Sequence, residues 1–364
     1  MPAASDSAPD RRVQWRREAV EVGRSLARFG PSPGPRWHLG LQAAVAMALP
    51  VVALSALGLE SLALLAATGA FATLYGGRLA PRERAAFVPI VAVVLWLFAA
   101  AGVAAAALGA VAVAVGTIVV AIAASALVFA RSVGPPGPLF AVLVFGLSAH
   151  IVVPRGHAGV DPVLYLSVVA ASLAFACVVT LAPLVRRRHR IEPRRPLGVL
   201  FPAAHREREA RTLIARTAAV AVVGTAASLV VDPERAYWIV GAGIAVIGVS
   251  ASRRVALSRG IHRALGTAAG AVVYLGLAFA PLTGIVLGVV LGALQFVVEL
   301  VVVRHYALAL VFITPLVLLI LGAAGAGGAE LAAERVLDTA VGALLGTLSS
   351  LIVVPGSARE QRPA

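Results

Sequence analysis

Apolar residues run almost without interruption from Trp37 to Pro355, divided by short polar gaps. Most runs approach the roughly 20 residues that an α-helix needs to cross a bilayer's hydrocarbon core. The pattern predicts spans near 38–57, 61–77, 86–104, 107–130, 138–153 and 163–184. It predicts six more near 212–231, 236–251, 264–280, 284–303, 306–323 and 335–354. The split inside 86–130 rests on the small-residue segment around Gly102 and Gly109, since the stretch is otherwise unbroken. The expected fold is an all-α polytopic membrane protein of about 12 transmembrane helices.

The polar gaps are sorted by charge. Alternate gaps, with the two terminal segments, hold 28 arginines, from Arg11 and Arg36 through Arg78, Arg82, Arg84, Arg131 and Arg186–Arg216 to Arg263, Arg304 and Arg362. The gaps between them hold three, Arg155, Arg235 and Arg335, together with Glu60, Asp161, Asp232, Glu234, Glu330 and Glu334. Cationic loops stay on the cytoplasmic side, so the sorting predicts both termini there. The expected location is the cell inner or plasma membrane.

Leu39 begins an apolar pair that ends at the basic turn Arg78–Arg84, and Leu213 begins a similar pair that ends at Arg253–Arg263. Six spans per half predict two parallel six-helix repeats, related by an axis along the membrane normal. The expected organisation is a cytoplasmic N-terminal segment (1–36), a first membrane repeat (37–185), a basic connector (186–211), a second repeat (212–355) and a cytoplasmic tail (356–364). Residues 1–10 have the polar composition of a disordered segment. Residues 13–29 read as a basic amphipathic helix, with Val13, Ala19, Val20, Leu26 and Phe29 toward lipid. The connector is too short for a folded domain.

Composition agrees. Hydrophobic residues make up 60% of 364 and charged residues 13%, against about 25% in a soluble domain. Mean hydropathy is +0.93. All basic charge is arginine, and the net charge is +14. Because the arginines flank apolar runs, they read as topology signals and not as a nucleic-acid surface. The single Cys177 excludes an intrachain disulfide, and no Cys/His spacing suits a metal. No Walker loop, zinc-protease or nucleophile-elbow motif occurs, so the sequence suggests no cofactor and no catalytic residue.

An ionisable group inside a span needs a reason. Glu299 is the clearest case, lying on one helical stripe with Gly288, Gly292 and Gln295. It suits binding of a proton or substrate, with Gln295 as a hydrogen-bonding partner, or an ion pair with Arg304 or Arg263. The next span carries Arg304, His305, Tyr306, Thr314 and Pro315. Pro315 frees a backbone carbonyl in mid-helix, as Pro50 and Pro89 do elsewhere. Asp338 follows Glu334 and Arg335, and Arg335 is its expected i, i+3 partner. His150 has no evident partner in the sequence. Trp37, Tyr75, Tyr165, Tyr237, Trp238 and Tyr274 lie at span ends and suit interfacial anchoring, with Tyr237 and Trp238 also placed for an external vestibule. Gly266 with Gly270, and Gly342 with Gly346, are spaced for close helix contact, inside one chain or in a homo-oligomer.

The second half resembles the membrane domain of the fusaric acid resistance (FUSC) family, which includes aromatic acid exporters. Three segments carry the resemblance: AYWIVGAGIAVIGVSASRRVALSRGIHRALGTAAG (236–270), QFVVELVVVRHYALALVFITPL (295–316) and ERVLDTAVGALLG (334–346). LYGGRLAPRERA (74–85) matches more loosely. The resemblance implies an exporter of small organic, often aromatic, carboxylic acids. It points to Tyr237, Trp238, Arg263, Glu299, Arg304, Tyr306, Thr314, Pro315, Arg335 and Asp338. His305 stands where the family usually has Asn. The large cytoplasmic domain that many Gram-negative members hold between the halves has no counterpart in 186–211. A related branch resembles plant anion channels. The expected function is secondary export of small organic anions, with the bilayer and the anions as partners and no nucleic acid. An anion channel is the first alternative, and a non-transporting membrane scaffold with a basic cytoplasmic face the second.

Overall fold

The computed structural model describes residues 23–31, 34–153, 159–203, 207–323 and 328–354. Among these residues it is helical throughout, with no strand. Six main helices form the first half: α1 (Trp37–Ala56), α2 (Glu60–Ala66, continued as a 3₁₀ helix over Ala67–Leu74), α3 (Pro81–Ala107), α4 (Ala110–Ala130), α5 (Leu139–Val152) and α6 (Pro162–Leu181). Six form the second: α7 (Glu207–Val231), α8 (Ala236–Ile247), α9 (Arg253–Leu277), α10 (Gly284–Val301), α11 (Tyr306–Ala323) and α12 (Ala329–Leu348). Short helices Arg187–Ile191 and Leu197–Leu200 lie in the connector.

Local chemistry fixes the boundaries. Asp161 caps α6 by accepting from Leu164 N at 2.8 Å, with Pro162 preset at the first helical position. Ser252 caps α9 by accepting from Val255 N. The long apolar stretch breaks at Gly109, whose φ of 98° is left-handed and favours glycine. Gly102 stays inside α3, where a side chain would collide with the Phe145 carbonyl of α5. α8 stops at Gly248, with φ 62°, four residues before the expected end. Pro50, Pro89 and Pro315 all lie inside continuous helices, so Pro315 does not interrupt α11.

Among the described residues, six helices are long and apolar enough to cross a membrane: α1, α3, α4, α6, α7 and α10. The α2 segment, α5 and α11 are apolar but shorter. The outside carries exposed apolar side chains such as Val93, Val119, Val223, Val272, Val289 and Leu344. An apolar exterior over that many helices fits lipid contact. The protein is a multi-pass membrane protein.

Packing crosses the halves at three main places: α1 lies against α10, α4 against α7, and α5 against α8. Within the halves, α3 packs on α5 and α6 as α9 packs on α11 and α12. The α2 segment packs on α6 as α8 packs on α12. Each of these pairings in one half thus has a counterpart six helices on.

Contacts between gaps keep to the charge sorting. Arg235 meets Glu334 at 2.9 Å and His150 approaches Glu234 at 3.9 Å, so His150 does have a partner. At the basic end Arg195 meets Glu83 at 2.7 Å, Arg82 donates to the Glu192 carbonyl at 2.8 Å, and Gly30 N donates to Arg304 O at 2.7 Å. The expected amphipathic helix is helical over 23–27, while Val13, Ala19 and Val20 lie outside the described residues. Its described end docks on the protein: Ser25 bonds His262 at 2.8 Å, and Leu26 O and the Phe29 ring meet His305.

Trp37 is 57% exposed, as interfacial anchoring requires. Four tyrosines correct that expectation, since Tyr75, Tyr165, Tyr237 and Tyr274 are buried. Burial requires partners for their hydroxyls. Tyr75 donates to Gly137 O at 3.0 Å, Tyr165 shares a bond with Ser148 at 2.8 Å, and Tyr274 accepts from Gly328 N at 3.3 Å.

Candidate functional site

The α10 stripe faces protein, as its spacing predicts. Gly288 and Gly292 let α1 approach: added Cβ atoms would lie 2.8 Å from Val52 Cγ2 and 2.7 Å from Ala48 Cβ. One turn further on, Gln295 and Glu299 are buried. Glu299 pairs with neither Arg304 nor Arg263. Arg36 takes that role, with Nη2 2.9 Å from Oε2 and Nε donating to the Glu299 carbonyl at 3.1 Å. The correction has a simple cause. Arg36 precedes α1, and the α1–α10 contact brings it to Glu299, while Arg304 has passed the helix end and turned to Gly30 and the Phe29 ring. Arg84 adds a second cation within electrostatic reach of Glu299. It is buried and donates to Gln42 Oε1 and to the carbonyls of Thr73 and Tyr75. Gln295 Nε2 has no acceptor among the described residues.

A second cluster lies among α8, α9, α11 and α12. Arg263 of α9 donates to the Tyr306 hydroxyl of α11 at 2.8 Å. Arg335 of α12 lays its guanidinium 3.9 Å from the centre of the Trp238 ring on α8. Tyr237 is buried beside it, packed where Gly146 of α5 leaves room for its ring. Arg259 covers the Tyr306 ring at 4.6 Å and donates to Ala245 O at 3.1 Å. Arg263 and Arg335 are both buried and feel each other's charge.

Acids do not neutralise this pair by contact. Asp338 is buried one turn beyond Arg335, yet its ion pair is with Arg235 at 3.5 Å and not with Arg335. Arg235 also holds Glu334 and Asp232 at 2.9 and 3.6 Å. An i, i+3 spacing allowed the Asp338–Arg335 pair, but Arg335 is drawn to the Trp238 face. Arg263 Nε and Arg335 Nε and Nη1 have no acceptor among the described residues. Buried N–H groups of this kind are uncommon in native proteins and point to a bound water, ion or ligand.

Close helix contacts hold the cluster. A Cβ at Gly270 would lie 2.7 Å from Thr314 Cβ, so α9 and α11 meet at Thr314, just before Pro315. A Cβ at Gly346 would lie 2.6 Å from Gly243 O, so α12 and α8 nearly touch backbones. α8 has 12 residues and rises about 18 Å, against about 30 Å of hydrocarbon. Arg335, near the acidic end, and Arg263, nearer the basic end, therefore face one thin section of protein.

The structure brings together Tyr237, Trp238, Arg263, Tyr306, Arg335 and Asp338, places Gln295 and Glu299 in a separate cluster, and leaves Arg304 at the surface. Sequence reasoning missed Arg36, Gln42, Arg84, Arg235 and Arg259 as participants. Arg84 had one signal, its place in LYGGRLAPRERA. Arg84 and Arg259 each fold back from the start of a third helix onto carbonyls that end the second. Among the described residues no group of three or more His, Cys, Asp and Glu is disposed to hold a metal.

Residues 218–349 match the family model described as fusaric acid resistance protein-like. A curated relative, the uncharacterized membrane protein YvaC of Bacillus subtilis (strain 168), is 34% identical over 124 residues. That alignment covers 33% of this chain and 19% of the relative, so the chain matches about a fifth of the relative's length. No solved structure matches. The second cluster, Gln295 and Glu299 lie within 218–349, and the family resemblance read from 236–270, 295–316 and 334–346 is borne out.

Proposed function

We propose that the protein is a secondary transporter that exports small organic anions, aromatic carboxylates among them, across the inner or plasma membrane. The observation that carries this reading is the buried pair Arg263 and Arg335, with N–H groups that no acceptor among the described residues satisfies. Guanidinium forks match carboxylates in a bidentate geometry. Trp238, Tyr237 and Tyr306 supply aromatic faces for the body of such a substrate. The arginines of the basic face, Arg253, Arg254 and Arg304, raise anion concentration at the inner mouth.

In this reading both termini are cytoplasmic and the chain makes twelve spans in two parallel six-helix repeats. The matched pairings of α1–α6 and α7–α12 support it. So does the restriction of contacts between gaps to gaps of the same class, basic with basic and acidic with acidic. Without an ATP-binding motif, the membrane potential supplies the drive, about 2.3 kcal/mol per charge per 100 mV.

One observation favours a channel as the second reading. Glu299, the carboxylate best placed in the sequence for proton exchange, is tied to Arg36 in another cluster. A panel of weak organic acids offered to inside-out vesicles, with and without a pH gradient, tests both. Saturable, gradient-dependent uptake supports a carrier, and potential-driven uptake without saturation supports a channel. No uptake of any acid overturns both and leaves the scaffold.

A further inference from the structure

A cavity of about 250 Å³ lies in the first half, outside the arginine clusters. α3 and α4 form its walls through Phe87, Phe98 and Leu127. The connector helix Leu197–Leu200 and Phe201 close its end on the basic face. That closure is clasped. The Phe201 ring lies 4.4 Å from Phe87, Arg195 holds Glu83 through bonds of 2.7 and 3.1 Å, and Arg82 holds the Glu192 carbonyl at 2.8 Å. Two other lining residues, Ile90 and Leu127, are 47% and 52% exposed, within the apolar exterior. The connector thus covers the aqueous end and the cavity opens sideways toward lipid.

Its lining is apolar except at one place. Arg131 is the only charged lining residue, and it makes no ion pair among the described residues. Gly137 and Pro138 line the same end and begin α5, a 14-residue helix with no side-chain cap. A helix N-terminus carries free N–H groups and partial positive charge, so it favours an anion, as Arg131 does. At about 30 Å³ per water, the volume equals roughly eight waters, enough for part of an acyl chain but not for a whole lipid.

We propose that this cavity is a binding site for an anionic phospholipid of the leaflet on the basic side. One acyl chain enters between α3 and α4, and the phosphate rests between Arg131 and the start of α5. A free medium-chain carboxylate shares this chemistry. The sideways opening and the covered aqueous end favour the lipid. The site depends on the membrane reading but not on transport.

Native mass spectrometry of the full chain, purified in mild detergent and offered phosphatidylglycerol, phosphatidylethanolamine or octanoate, tests it. Wild type is expected to retain one phosphatidylglycerol. Val94→Trp, which fills the cavity, is expected to lower retention at least tenfold. Arg131→Gln is expected to abolish the preference for phosphatidylglycerol over phosphatidylethanolamine. Gly198→Trp at the connector, where nothing lies within 4 Å of an added Cβ, repeats the cavity-filling test if Val94→Trp misfolds. Equal retention by wild type and a folded filling variant overturns the site. Displacement of the lipid by octanoate at similar concentration overturns the lipid assignment in favour of a free acid.

Discussion

Arg36 and Glu299 form an ion pair across the two halves, with Nη2 2.9 Å from Oε2. The same guanidinium reaches the Glu299 backbone, so the pair fixes the register of α1 on α10 as well as neutralising a membrane charge. Removing one partner of a buried pair strands the other. Because the Arg36 side chain is 19% exposed, Arg36→Gln or Glu299→Gln should each lose about 1–3 kcal/mol, less than a fully buried pair. The double variant should be no worse than either single one. Chemical unfolding in detergent measures this, and additive losses would show that the two side chains do not interact.

Two arginines of the second half should respond differently to substitution. Arg235 serves three carboxylates, so Arg235→Met should destabilise by about 2–4 kcal/mol. Arg335 carries unsatisfied N–H groups and no acid contact, so Arg335→Met relieves a buried charge and loses a cation–π contact of about 1 kcal/mol. Its stability should stay within about 1 kcal/mol of wild type or rise. Thermal unfolding of the two variants side by side decides, and a larger loss for Arg335→Met would mean that it is a structural arginine.

Glycines at helix crossings should separate from glycines at open positions. Gly270→Val drives a side chain into Leu310 O and Thr314 of α11 and should lose about 2–3 kcal/mol. Gly276→Ala in the same helix meets nothing within 4 Å and should stay within about 0.5 kcal/mol. Equal effects in an unfolding titration would argue against the α9–α11 contact that seats Thr314.

Sidedness follows from the arginine sorting. In a Cys177→Ala background, Arg194→Cys should react with an impermeant maleimide only from the cytoplasm. Glu60→Cys should react only from outside. Labelling both positions from one side would contradict the span count between them.

The helix positions were largely legible because a run of about 20 apolar residues constrains the chain whatever surrounds it. The break at Gly109 was legible too, whereas Gly102 proved to be a packing glycine. Partners were less legible. Arg36 and Arg235 look like topology charges in the sequence, and the contacts of α1 with α10 and α8 with α12 are what bring them Glu299, Glu334 and Asp338. Local spacing suggested Arg335 for Asp338, and tertiary packing replaced it with Arg235. Tyr75, Tyr165, Tyr237 and Tyr274 show the same limit: a tyrosine near a span end reads as an anchor until a neighbouring helix covers it.

Binding of the transported anion by Arg263 and Arg335 is measured most directly as flux. Purified wild type, Arg335→Gln and Glu299→Gln would be reconstituted in liposomes, and uptake of labelled benzoate driven by a set membrane potential. Arg335→Gln should lose flux at least tenfold with a raised KM, and Glu299→Gln should stay within about threefold of wild type when corrected for folded protein. Flux through Arg335→Gln equal to that of wild type, with benzoate carried by both, would contradict it.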